Sequence, residues 1–409
     1  MTGTLPYDPR VIAEASGLRG AIAIYRRRIA SGDVGALPVV VGLVVIWTVF
    51  GLASGGTFLG AFNLTNLALQ SAATGTIAIG VVFVLLLGEI DLTVGILSGL
   101  ASGVMAVLNV TNGVPGPIAV LAALVVGLAI GLLQGVWITK FRIPAFVVTL
   151  AGLIAWQGAL LFVLGRTGTL NVTDKFITGL AGTFFQGLTA WGLGILFVFY
   201  VAATAWTSRR SRMKAELSAE PLLVLAVRVI VIGLLVAGAI YVLLQDGERG
   251  LPLSLVILVA LVVVMDFVAR RTRFGRMVFA VGGNPEAARR AGIKIDRVRI
   301  AVFGLASLFA AMGGVLAASR LFAVNQSAGS GDVLLNAIAA AVIGGTSLFG
   351  GRGTVWAALL GILVIQSISN GMDLLNFESA VKFMITGAVL LTAVTIDAVA
   401  RRGREVSGR

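Results

Sequence analysis

The 409-residue chain contains no cysteine and no histidine. Disulfides, imidazole acid–base chemistry and the usual zinc sites are thereby excluded. Charge is scarce as well: Asp, Glu, Lys and Arg together make up 12% of the residues. What fills the chain is apolar. Hydrophobic residues account for 58%, and the mean hydropathy is +1.02. Apolar stretches long enough to cross a bilayer recur from end to end, so the chain reads as an all-α polytopic membrane protein. The 53 glycines suit helices that pack closely where no hydrophobic force acts between them. A net charge of +13 would suggest nucleic acid in a water-soluble protein. Here it is read as positive charge retained on the cytoplasmic side, with no nucleic-acid partner. No signal peptide is read in residues 1–36, which are mixed and polar, with Arg26, Arg27 and Arg28 just ahead of the first apolar span.

About 12 transmembrane helices are expected, at the ~20 residues each that a bilayer requires. They fall near 37–54, 65–87, 92–110, 117–138, 144–165, 188–206, 222–244, 251–269, 299–318, 332–349, 353–370 and 380–399. With the N-terminus inside, most of the 31 Lys and Arg residues fall in cytoplasmic segments: those before residue 37, Lys140 and Arg142, 209–214, 270–299, Arg352 and the tail 400–409. Both termini are therefore expected in the cytoplasm. Residues 88–91 divide the second and third spans so briefly that a break within one embedded element is an alternative. The outer loop 166–187 is long and partly apolar, as a segment dipping into the membrane interface would be.

The longest polar run after the N-terminus, 278–300, reads as a short helix with both ends marked. Asn284 is a good N-cap, Pro285 falls at the first helical position, and Glu286 suits the positive helix end as Arg289 and Arg290 suit the last turn. Gly292 closes it as a C′ residue. Two turns of helix are marginal alone in water, so something outside the chain is expected to hold it.

Within the apolar spans, polar groups are few. Gly88–Gly95 carries two carboxylates in an apolar neighbourhood, where ionisable groups are expensive and usually functional. Asp91 is well placed as N-cap of the next helix; Glu89 either lines a path or pairs with an Arg. Asn66, Gln70 and Thr74 recur every four residues and form one stripe on the second span, as Gln366 and Asn370 do on the eleventh and Lys382 with Thr386 on the twelfth. Amides and hydroxyls offer a polyhydroxylated solute both donors and acceptors. They also serve interhelical hydrogen bonds, which explains any one of them equally well. Gly344–Gly353 turns on two glycine pairs, yet no Gly-x-x-x-x-Gly-Lys-[Ser/Thr] loop occurs anywhere, so the chain is not its own ATPase of that type. Neither a nucleophile–base set nor a metal cluster is evident, and no enzyme activity or cofactor is expected.

These motifs together resemble a known family. Glu286-Ala-Ala-x-x-x-Gly292 is similar to the EAA-type loop of bacterial ABC-importer permeases. Gly88-Glu-Ile-Asp-Leu-Thr-Val-Gly95 resembles the GGIDLSVG run of the ribose/xylose/arabinose-type monosaccharide permeases, departing at Glu89 where Gly is usual. Ile143–Leu150 and Ala337–Thr354 are similar to further runs of that family. The likeness covers most of 60–400, and 207–250 looks like two spans beyond the shorter ribose-type members, as in xylose-type permeases.

The resemblance implies a type II-like ABC importer permease in the bacterial cytoplasmic (inner) membrane, carrying xylose or another pentose. Its partners would be a separate P-loop ATPase, an extracytoplasmic sugar-binding protein and a second permease copy, forming a homodimer. A transmembrane permease domain 37–399 would lie between the cytoplasmic segment 1–36 and the tail 400–409, with a cytoplasmic coupling loop at 270–299. ATPase coupling would fall to Gly282, Gly283, Asn284, Pro285, Glu286, Ala287, Ala288, Arg289 and Gly292. The translocation path would fall to Asn66, Gln70, Thr74, Glu89, Asp91, Gln366 and Asn370. A proton- or sodium-coupled sugar transporter would also have about 12 spans, but its candidate acids Glu89, Asp91 and Asp266 fall at span ends. A branched-chain amino acid or nucleoside permease shares the general fold.

Overall fold

The computed structural model describes residues 37–215 and 221–406. The expectations for residues 1–36, and for the last three residues of the tail, lie outside the described residues. In chain order the helices are α1 Leu37–Ala53, α2 Ala61–Leu86, α3 Val94–Ala106, α4 Gly116–Lys140, α5 Ala145–Leu164, α6 Lys175–Gly182, α7 Gly187–Lys214 and α8 Leu222–Leu244. There follow α9 Leu253–Arg271, α10 Arg273–Gly283, α11 Pro285–Arg290, α12 Ile295–Leu321, α13 Val333–Ile343, α14 Trp356–Leu374 and α15 Ser379–Val406. The fold is all-α and polytopic. Among the described residues, 9 helices are long and apolar enough to cross a bilayer, counting α3 with the π-turn that extends it to Thr111.

The chain divides into two compact units. In the larger, 35–184 with 252–409, α2 and α12 form the centre. Nearly all of α2 below its first turns is buried, and α12 packs along α4, α2 and α3. The approach is close because small residues face it. Gly127, Gly131 and Gly135 recur every four residues on α4, and a Cβ on Gly131 would lie 2.4 Å from the Phe303 carbonyl oxygen and 2.5 Å from Ser307 Oγ. With lipid as apolar as any side chain, such close backbone packing replaces the hydrophobic effect as the force between helices. The outer faces of α4 and α5 expose Leu121, Val125, Phe146, Ile154 and Phe162, as surfaces meeting lipid do. In the smaller unit, α7 and α8 form a hairpin in which Gly194 meets Ile240 and Val236. Gln186 Nε2 ties its ends by donating to the carbonyls of Glu248 and Arg249 at 2.7 and 3.0 Å.

Two expectations need correction. The tenth span, placed at 332–349, is helical only over the 11 residues of α13, about 16 Å against the ~30 Å of a bilayer core. Gly345, at φ 101°, turns the chain out of the helix, and Gly350, Gly351 and Gly353 keep it irregular as far as 353. The preceding segment is irregular too, its Ala328 carbonyl pressed onto Gly99 of α3. Second, α12 begins at Ile295 rather than 299, taking Arg297 and Arg299 into the helix. The loop 166–187 is neither wholly extended nor structureless: β1 Thr169–Asn171 pairs antiparallel with β2 Ala323–Asn325, Leu170 opposite Val324, and α6 follows.

Candidate functional site

The short helix read in the polar loop is present as α11. Asn284 Oδ1 accepts the Ala287 N–H at 3.0 Å, one orphan donor of the first turn satisfied by a side chain. At the other end Gly292 has φ 82°, and the Ile293 N–H returns to the Ala288 carbonyl at 3.0 Å, a left-handed closure that glycine makes at least cost. Ala288 is buried, whereas Pro285, Glu286, Ala287, Arg289 and Arg290 are exposed. The helix thus has one anchoring side chain and an open remainder.

Its root is held by glycines. Gly282, in the last turn of α10, sits so close to the end of α2 that an added Cβ would lie 1.7 Å from the Leu86 carbonyl oxygen. That same oxygen accepts the Gly351 N–H at 2.9 Å. Gly88, Gly282, Gly350 and Gly351 therefore bring three loops into backbone contact: the 88–91 break, the entry to α11 and the glycine-rich turn 344–353. Gly283 beside them is open, with nothing within 4 Å of a Cβ.

One ion pair adds to this junction. Arg299, on the first turns of α12, meets Glu89 Oε1 at 2.8 Å, with side chains 32% and 17% exposed. Burial pushes the Glu89 carboxyl up from the ordinary glutamate range, and the Arg299 cation opposes that only in part. Asp91 is buried, and burial likewise pushes its carboxyl up against two hydrogen bonds from Thr93. Those bonds, to Asp91 Oδ1 from the Thr93 N–H at 2.8 Å and from its hydroxyl at 2.6 Å, correct the expected N-cap. Asp91 closes a turn two residues ahead of the helix, and Thr93 occupies the cap position without a side-chain capping bond.

The polar stripes of α2 and α14 meet across the helix pair. Asn66, Gln70 and Thr74 lie half-buried on a helix otherwise sunk in the core. Gln366, half-buried on α14, donates through Nε2 to Gln70 Oε1 at 2.7 Å, so the two stripes form one polar face. Asn370 is buried and accepts from Asn63 Nδ2 at 2.8 Å, an interhelical bond one turn further along. Lys382 pairs with Asp373 at the end of α14, and Asp266 pairs with Arg270 four residues on at 2.7 Å. Asn63 was missed although it lies three residues before Asn66 and so near the same face. Glu89 takes the second of its two expected roles, pairing with an Arg, but nothing in the sequence singles out Arg299, 210 positions away. Among the described residues no group of three His, Cys, Asp or Glu side chains could hold a metal.

Residues 63–394 match the family described as branched-chain amino acid transport system / permease component. The xylose transport system permease protein XylH of Escherichia coli is 36% identical over 291 residues, 71% of this chain and 73% of that protein. The ribose import permease protein RbsC of Bacillus subtilis is 31% identical over 67% of this chain and 65% of its own length. The fructose import permease protein FrcC of Rhizobium meliloti is 28% identical over 72% and 66%. No solved structure matches.

Proposed function

We infer the mechanism from the premise that the chain belongs to the branched-chain amino acid transport system / permease component family. It is the permease subunit of a sugar ABC importer, a multi-pass protein of the bacterial inner membrane and not itself an enzyme. The relatives named for xylose and ribose support a pentose as cargo, xylose first. An ATPase and a sugar-binding protein are its partners. A second copy of the permease, cytoplasmic termini and about 12 crossings, the tenth made by the short α13 with irregular chain on either side, complete the reading.

The observation that carries the mechanism is α11, capped at both ends and exposed except at Ala288. We read it as the coupling helix, seated in a groove of the ATPase. When ATP closes the ATPase pair, α11 moves and pulls on the junction built from Gly282, Leu86 and Gly351. The Glu89–Arg299 pair carries the same displacement from α12 to the start of α3. The first contact ends on α2 at Leu86, and Glu89 is tied to the same helix end by its N–H to the Val84 carbonyl at 3.2 Å. Asn66, Gln70 and Thr74 of α2 form, with Gln366, the polar wall past which the sugar moves. Amide and hydroxyl groups there exchange hydrogen bonds with sugar hydroxyls without trapping an ion. Selection belongs to the binding protein, so the wall needs to be wet rather than tight. Family membership favours this importer over the ion-coupled secondary transporter.

The test is made on α11. Gly292→Val forces a β-branched residue into a left-handed conformation, costing on the order of 1–3 kcal/mol, and Glu286→Arg sets a cation at the positive helix end. Both variants are expected to insert normally but to lose ATPase co-purification or sugar-stimulated hydrolysis in reconstituted vesicles. Wild-type association and coupled transport in both would remove α11 from the mechanism.

A further inference from the structure

A cavity of about 980 Å³ opens where α4 ends and α5 and α12 begin. Arg142, Arg289, Lys294, Arg297 and Arg299 line it, against only Glu89 and Asp296. Glu89 is already engaged by Arg299, and Arg289 faces Glu286 loosely at 3.8 Å. Arg142, Lys294 and Arg297 are exposed and have no ion pair among the described residues. Two helix N-termini open into the same space, α5 behind Pro144 and α12 behind Lys294, and no side chain caps either one. Each presents orphan N–H groups and a partial positive charge. Arg142 is also held at φ 55°, a conformation uncommon for a side-chain-bearing residue, and such outliers gather at ligand sites. Like charges crowded on one wall repel, and among the described residues no carboxylate pairs with Arg142, Lys294 or Arg297.

We propose that this cavity binds a phosphoryl-bearing anion, held by Arg142, Lys294 and Arg297 with the N-terminal N–H groups of α5 and α12. A tetrahedral group of one to two negative charges matches several cations at once, and guanidinium groups grip it in pairs of hydrogen bonds. The volume admits more than a bare ion, so the group could be the headgroup of an anionic phospholipid or a soluble phosphate. An anion in this place competes with Glu89 for Arg299 and lies beside Arg289 of α11. The site rests on the charge and shape of this chain alone and is independent of which sugar is carried.

The experiment uses the full-length chain in detergent. Labelled inorganic phosphate is measured by equilibrium dialysis, and native mass spectrometry follows titration with phosphatidylglycerol or phosphatidylcholine. The variant Arg142→Gln/Lys294→Gln/Arg297→Gln is compared with Arg271→Gln/Arg273→Gln/Arg276→Gln, which removes equal charge from exposed positions outside the cavity. The cavity variant is expected to bind at least about tenfold more weakly, since each charge-assisted hydrogen bond contributes roughly that factor, while the control keeps its affinity. Loss in both arms assigns the phosphoryl group itself; loss with phosphatidylglycerol alone assigns a lipid headgroup. If the triple variant elutes as aggregate, Arg297→Gln alone is expected to show the same direction. Equal losses in both triples, no binding by wild type in either arm, or displacement of the anion when the ATPase assembles would each overturn the proposal.

Discussion

Gly282→Ala is the smallest change that challenges the junction beneath the coupling helix. In an unhindered helix the substitution stabilises by about 1 kcal/mol, because alanine is the better helix former. Here the added methyl would lie 1.7 Å from the Leu86 carbonyl oxygen and 2.8 Å from the Gly351 nitrogen. To restore ordinary contact the carbonyl must retreat by roughly 1.5 Å or more, since carbon and oxygen do not approach that closely. A hydrogen bond of 2.9 Å between Gly351 and Leu86 does not survive such a shift. Losing it costs about 1–3 kcal/mol, and overpacking costs about 1–3 kcal/mol more. The loss outweighs the helix gain, leaving Gly282→Ala destabilised by about 1–5 kcal/mol. Gly283→Ala is the internal control: same helix, same chemistry, nothing within 4 Å of the new atom. It is expected to be neutral or slightly stabilising. Both variants are purified with the ATPase, melted in detergent and assayed for sugar-stimulated hydrolysis. Gly282→Ala should melt earlier and uncouple hydrolysis from sugar, whereas Gly283→Ala should melt no earlier than wild type. Indistinguishable behaviour of the two would refute the three-loop contact.

Other expectations can be checked in the same preparations. Asn66→Leu with Gln70→Leu should lower sugar uptake while ATPase co-purification stays intact; normal uptake would make the stripe a packing feature. Gly131→Leu should abolish a monodisperse peak on size exclusion, because its first side-chain atom already meets the Phe303 carbonyl at 2.4 Å and overpacking alone costs about 1–3 kcal/mol. Glu89→Gln tests the buried carboxylate through pH. The folded pKa lies above the unfolded one, so the stability Glu89 contributes is full below the ordinary glutamate pKa of about 4.3 and is lost as pH rises through the higher folded value. Wild type should therefore lose thermal stability relative to Glu89→Gln as pH rises from about 4; parallel melting curves across that range would contradict the assignment.

The membrane helices were legible in the sequence because a bilayer imposes a length and an apolar composition on each segment separately. The helix at 285–290 was legible for a similar reason. Asn284, Pro285 and Gly292 act on backbone groups within four residues of themselves, so their effect survives without any tertiary context. The polar stripe was legible as a period, but not the bond from Gln366 to Gln70 that turns two stripes into one face. Distance decided the rest. Glu89 finds Arg299, and Gly282 finds Leu86 and Gly351, only when helices far apart in sequence are packed end to end. The shortening of α13 had the same origin. Its residues are apolar like those of a span, yet the chain leaves the helix at Gly345, at φ 101°, and Gly350 and Gly351 pack against Gly88, Gly282 and Gly283. Local chemistry therefore determined which segments are helices and where the exposed one is capped. Which carboxylate meets which cation, and which glycine meets which carbonyl, was decided by packing between helices, to which no single segment holds the pattern.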